Sequence, residues 1–160
     1  MSAWPAIPPP PPPKPRRRLA AKVIAFVVLS GLIGAALIWK AGKSSFHNYQ
    51  IASGAVEHFH HQMNLGDYDQ IYDEASEEFR RSITREDLTR FFEKIQNNMG
   101  SVGEPRSLGF HVNWRSKAVW VDQTFNTQFL HGSAQEYFVW KIEQDQPRLY
   151  NYRIDSPNLH

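Results

Sequence analysis

The chain contains no cysteine. Disulfides, thiolate metal sites and cysteine nucleophiles are therefore excluded. It also has no aspartate or glutamate before residue 44, so all sixteen acids fall in residues 44–160. Eleven of the eighteen lysines and arginines lie in that same part, which gives it a net charge of about −5 although the whole chain is +2. The basic isoelectric point belongs to the N-terminal segment. No basic stripe runs through the remainder, and nucleic acid is not an expected partner. Phosphate-loop, dinucleotide-binding and zinc-site spacings are likewise missing, and no cofactor is implied.

What is present is one long apolar run, Val23 to Trp39, seventeen residues without a charge. Extended back to Leu19 it reaches about 31 Å as a helix, the thickness of a bilayer's hydrocarbon. It is apolar all round, unlike a core helix with one polar face. Lys22 sits where its stem can reach the headgroups, and Trp39-Lys40 suits the opposite interface. Lys14, Arg16, Arg17, Arg18 and Lys22 precede the run's centre, against Lys40 and Lys43 after it. The positive-inside rule then keeps the N-terminus cytoplasmic and exports the C-terminal part. Gly34-Ala35-Ala36 lies within the run, not after it, which favours a signal anchor over a cleaved signal peptide. The lipid bilayer is thus the first expected partner. Ser30/Gly34 and Gly31/Ala35 form small-xxx-small pairs that permit a homodimer. Residues 1–18 hold eight prolines, with an unbroken run from Pro8 to Pro13. They read as a disordered, polyproline-prone spacer whose basic end touches lipid headgroups.

The expected organisation is a tail at 1–18, a transmembrane helix at 19–39, a linker at 40–47 and a folded domain at 48–157. The domain opens with helical spacing from Phe46 to Leu65, through Ile51, Ala55, Val56, Phe59 and Met63. Gly66 ends this helix and Asp67 opens a short second one with Tyr68, Ile71, Tyr72 and Ala75 on one side. Ser76 caps a turn anchored by Phe79. Thr84-Arg85-Glu86-Asp87 resembles a capping box before the stripe Leu88, Phe91, Phe92, Ile95, which Gly100 closes. The period then changes to two. Strands are predicted near Ser107–Arg115, over Val119–Phe129, over Ala134–Ile142 and around Tyr150–Ile154. Turns fall at Ser116-Lys117, His131-Gly132-Ser133 and Asp145-Gln146-Pro147. The predicted class is α+β, with helices packed on one face of a curved antiparallel sheet of about four strands.

Leu65-Gly66-Asp67-Tyr68, Ile71-Tyr72, Ser76 to Phe79-Arg80, Leu88, Phe91, Gly100, Gly132 to Glu136 and Leu149 to Ile154 resemble the nuclear transport factor 2-like, or cystatin-like, superfamily. Within it, the closer similarity is to bacterial membrane-anchored domains of unknown function. The likeness spans about residues 48–157. It implies a bacterial inner-membrane setting, a cone-shaped pocket between sheet and helices, and sheet-to-sheet dimers in many members. Enzymes of the superfamily place an acidic base with a tyrosine or histidine in that cone. The fold hosts enzymes and binding modules alike, so it does not choose between them.

Glu136, Tyr150, His111 and Trp140 are the candidates for such a pocket. Glu136 shares a predicted face with Phe138 and Trp140, an unusual place for a carboxylate. Arg106, Arg115 or Arg153 is the expected partner. Asp122 is expected on the solvent side. His58, His60 and His61 are the one metal-like cluster. With Phe59 on the core side, these histidines are expected to face water, and no metal is assigned. The reading reached is a single-pass membrane protein whose exported domain binds a protein or envelope component, or assembles with its own copies. The alternative is a ligand-binding or enzymatic pocket built on Glu136, Tyr150 and His111.

Overall fold

The computed structural model describes residues 44–115 and 118–159. The apolar run, the Pro-rich tail and the Ser116-Lys117 turn lie outside the described residues. Among the described residues no helix is long and apolar enough to cross a membrane.

Helix α1 covers residues 44–65, so residues 44–47, assigned above to a linker, are helical. Its buried face runs Asn48, Ala52, Val56, Phe59, His60, Met63, at steps of one turn. Gly66, at φ +72°, turns the chain out of the helix. Three short caps follow as the sequence indicates. Asp67 accepts from the Gln70 amide and opens α2 (Tyr68–Glu74), while Ser76 accepts from the Phe79 amide and opens α3 (Glu77–Ser82). Thr84 accepts from the Asp87 amide at 3.1 Å and opens α4 (Arg85–Met99). In a capping box the third residue reaches back to the cap's own amide. The shorter Asp87 side chain instead takes the Thr84 hydroxyl, at 2.8 Å. Arg85 ties α4 to α2 by bonding Asp69 and Asp73, and their carboxylates raise its already high pKa.

Four strands form one antiparallel meander in the order β1 (Val102–Arg115), β2 (Ala118–Phe129), β3 (Gly132–Glu143) and β4 (Gln146–Asp155). The α+β class is as expected. Strand β1 begins five residues earlier than predicted, because Gly103 and Pro105 obscure its alternation. Proline is tolerated there since β1 is an edge strand, and the pairing with β2 shifts register on either side of it. The turns also differ in position. Phe129 pairs with Gly132, leaving a two-residue turn at Leu130-His131. Glu143 pairs with Gln146 across Gln144 and Asp145, both at positive φ. That is the twist a two-residue hairpin requires, so Gln146-Pro147 belongs to β4 and not to the turn.

The inward face of β2 and β3 carries Val121, Phe125, Phe129, Ala134, Phe138, Trp140 and Ile142, all buried. Helices α1 and α4 cover it. Phe59 meets Phe138 and Phe92 edge-on, at centroid distances of 5.2 and 5.6 Å. Burial of aromatics in such geometry supplies most of the driving force for closing the layers. The Ser76 amide donates to the Leu149 carbonyl at 2.8 Å, fastening the α2–α3 junction to β4.

Gly100 and Gly66 test this geometry. A Cβ on Gly100, at φ +73°, would lie 2.7 Å from the Leu130 Cβ, whereas a Cβ on Gly66 meets nothing. Gly66→Ala is expected to cost about 1 kcal/mol through backbone strain alone. Gly100→Ala is expected to cost clearly more. Denaturant unfolding of the full-length variants checks this order.

Candidate functional site

Glu136 lies midway along β3 and is fully buried. Its side chain meets three donors from three other elements. The Tyr152 hydroxyl of β4 donates to Oε1 at 2.7 Å. Nε2 of His60, on α1, lies 2.9 Å from Oε2, and the Thr127 hydroxyl of β2 donates to the same oxygen. With its Nε2 protonated, His60 donates too, and the set fits an acceptor-only carboxylate. Among the described residues His60 Nδ1 has no partner. A neutral ring leaves only a lone pair unsatisfied there, which costs less than a buried N–H. Burial pushes the Tyr152 phenol well above its ordinary pKa, and the Glu136 charge and hydrogen bond push it the same way.

Two expectations are corrected here. Among the described residues no arginine partners Glu136: Arg106 and Arg115 are exposed on β1, and Arg153 lies over the Tyr137 ring at 4.4 Å on the outer face. His60 does not face water; its side chain is only 7% exposed. The signal was present in the spacing, since His60 is four residues after Val56 and three before Met63, both core positions. His58 and His61 are exposed, as expected, and no metal-ligand cluster occurs among the described residues.

The four pocket candidates are not gathered in one place. His111 is exposed and pairs across the sheet with Asp122, on the outer face. Tyr150 also faces out, its ring edge-on to Trp120 at 4.5 Å. Simple alternation would put Tyr150, Tyr152 and Ile154 on one side. The pairing of β3 with β4 shifts register between Val139 and Trp140, so Tyr150 is the extra residue of a bulge. Tyr152, past the bulge, takes the inward place beside Glu136. Trp140 is buried and stacks on Phe138, with centroids 5.8 Å apart and planes 7° from parallel.

Trp140 also lines a separate half-open cleft of about 440 Å³, between α1, the end of α2 and the start of β4. Ile51, Ala55, Phe59 and Leu149 make its apolar walls, with His58, Glu74 and Arg148 at its polar margin. Glu74 is held from both sides. Its Oε2 lies 2.9 Å from His58 Nε2, and its Oε1 accepts from Gln70 Nε2 at 2.7 Å. Arg148 donates to the Glu74 carbonyl at 3.2 Å. Glu136 is not part of the cleft. The residues that are, His58 and Glu74, were missed as a pair because sixteen positions and a helix break separate them.

No protein-family model matches this chain, and no curated protein matches it. Sixteen chains of solved structures do. One is an NTF2-like family protein from Streptomyces avermitilis, provisionally named a dehydratase. It is 12% identical, with 67% of this chain and 94% of that chain covered and a TM-score of 0.45.

Glu136→Ala would strand three donors and is expected to cost about 3 kcal/mol or more. Glu136→Gln keeps one acceptor and is expected to cost less; equilibrium unfolding at neutral pH ranks the two. Tyr152 adds a pH effect. Its folded-state pKa is raised, so its contribution is intact below the ordinary phenol value of about 10 and is lost as pH rises from there through the folded-state value. In Tyr152→Phe the fall of unfolding free energy with pH above about 10 should be shallower, by up to ~1.4 kcal/mol per pH unit.

Proposed function

We propose that this chain is a membrane-anchored binding module of the nuclear transport factor 2-like type. Residues 19–39 cross the bilayer once, residues 1–18 remain in the cytoplasm, and the acidic domain stands outside. The uncharged run and the five-to-two imbalance of flanking positive charges support that topology. The order of three capped helices after a long one, then a four-stranded meander, supports the type.

One observation carries the choice of binding over catalysis. The carboxylate best placed by sequence to be a pocket base, Glu136, is closed into the core and saturated with donors, while the open cleft has an apolar floor. A cleft of this volume with mixed charge at its margin suits an amphipathic ligand, such as an extended peptide or an envelope constituent with an apolar tail and a polar head. The His58–Glu74–Gln70 chain favours a second reading. It orients an imidazole at the mouth of the cleft, which is the arrangement of a general base and its orienting acid. Both side chains are nearly half exposed, at 46% and 45%, so the contact itself contributes little to stability.

Gly54 lines the cleft and has open space where a Cβ would be. Gly54→Phe is therefore expected to fill the cleft without disturbing α1. Wild-type protein purified from membranes should carry a ligand detectable by native mass spectrometry, and Gly54→Phe should carry several-fold less. Equal occupancy in both would overturn the cleft as the binding site. Under the catalytic reading, wild type converts the captured ligand and His58→Ala returns it unchanged.

A further inference from the structure

Four of the eight exposed large apolar side chains among the described residues fall in two adjoining places, the first turn of α1 and strand β1. Phe46 is 59% exposed, Leu108 54%, Phe110 50% and Trp114 59%. Phe46 and Phe110 are linked through Tyr49. Phe46 lies 6.4 Å from Tyr49, and Tyr49 lies against Phe110 at 4.3 Å. Phe110, Val112 and Trp114 alternate on the helix side of β1, opposite Gln123, Val121 and Val119 of β2. Helix α1 crosses β2, where Ser53 bonds Gln123, and reaches β1 through Tyr49, and among the described residues Phe110 and Trp114 on either side of half-buried Val112 stay at least half exposed.

Chain length says what lies beside the patch. The uncharged run ends at Trp39 and α1 is helical from residue 44, so four residues separate them. Even fully extended they span at most about 14 Å. Phe46 and Tyr49 follow within the next ~8 Å of helix. If residues 19–39 cross the membrane, the patch stands within reach of the lipid headgroups. Its composition is that of an interfacial contact, with tryptophan, tyrosine and phenylalanine beside exposed Arg115. The turn joining β3 to β4 is at the same end and is acidic, with Glu143 exposed and Asp145 3.4 Å from His47. The contact is therefore confined to the β1 side and is driven by aromatic insertion more than by charge.

We propose that the Phe46–Phe110–Trp114 face docks on the outer lipid surface. The inference rests on the membrane-anchored reading above. In this orientation the C-terminal half of β1 meets the bilayer, which shields that part of the sheet edge from pairing with other strands, and the β2–β3 turn, beside the start of β1, points away.

The absence of cysteine makes the test direct. Single-cysteine variants Phe110→Cys and Trp114→Cys of the full chain are labelled with an environment-sensitive fluorophore. Leu130→Cys, a comparably exposed apolar site just past the far end of β2, is the control; Trp114 pairs with Val119, and the eleven residues from there to Leu130 span about 36 Å along the strand. The proteins are reconstituted in phosphatidylcholine–phosphatidylglycerol vesicles, and quenching by nitroxide-bearing lipid is measured. Labels at 110 and 114 are expected to be quenched several-fold more than the label at 130. Equal, weak quenching at all three in protein that stays with the vesicles through an alkaline wash overturns the docking but not the anchor. A label at 114 that is shielded from aqueous quencher and unreached by lipid quencher, together with disulfide-linked dimers of the unlabelled Trp114→Cys protein on oxidation, assigns the face to a second copy, and also overturns it. Protein released by the wash overturns the anchor and the docking together.

Discussion

The fold turns on one carboxylate. Glu136 receives His60 from α1, Thr127 from β2 and Tyr152 from β4, so a single side chain of β3 fixes the position of three other elements. A buried charge is costly to desolvate, and a well-packed apolar replacement would serve stability about as well. What the carboxylate adds is selectivity. Helix α1 can slide along an apolar sheet with little penalty, but any slip that moves His60 off Glu136 leaves buried polar atoms unpaired. The aromatic contacts of Phe59 with Phe92 and Phe138 provide the attraction, and the polar knot sets the register in which they meet.

The same constraint separates structure from function. Because Glu136 is committed to the core, the chemistry available to a ligand lies two residues back along α1, at His58, and at its hydrogen-bonded partner Glu74 on the cleft margin. His58 and His60 are two residues apart and face opposite ways, one into the cleft and one into the knot. Trp140 joins the two regions, since it backs on Phe138 inside the core and lines the cleft beyond it. A ligand filling the cleft would therefore press on the aromatic layer that surrounds the knot.

The outer face of the sheet follows a different logic. There Trp120, Tyr150, Tyr137 and Arg153 pair among themselves by edge-on and cation–π contacts. Such contacts are compatible with solvent and with a further layer of protein. The bulge that sends Tyr150 to this face is worth as much as a substitution, because it moves a phenol from the core side to the surface without altering the sequence.

Local chemistry was legible from the residues alone. Asp67, Ser76 and Thr84 cap the helices they precede because their short oxygens match the first free amides, and Gly66 and Gly100 end helices because they accept positive φ. The alternation of β3 named its buried face down to Glu136. The Pro-rich tail, the apolar run and its charge asymmetry are also properties of the sequence itself, needing no folding partner to be recognised. Tertiary structure decided what depends on two segments meeting. That Glu136 is answered by a histidine, a threonine and a tyrosine and not by an arginine follows from where α1 crosses the sheet. That Tyr152 and not Tyr150 stands beside it follows from a register shift between strands. That His58 meets Glu74 at the cleft margin follows from the way α2 folds back on α1 after Gly66. Each is a relation across long sequence separation, and periodicity along one segment carries no information about the partner it will face.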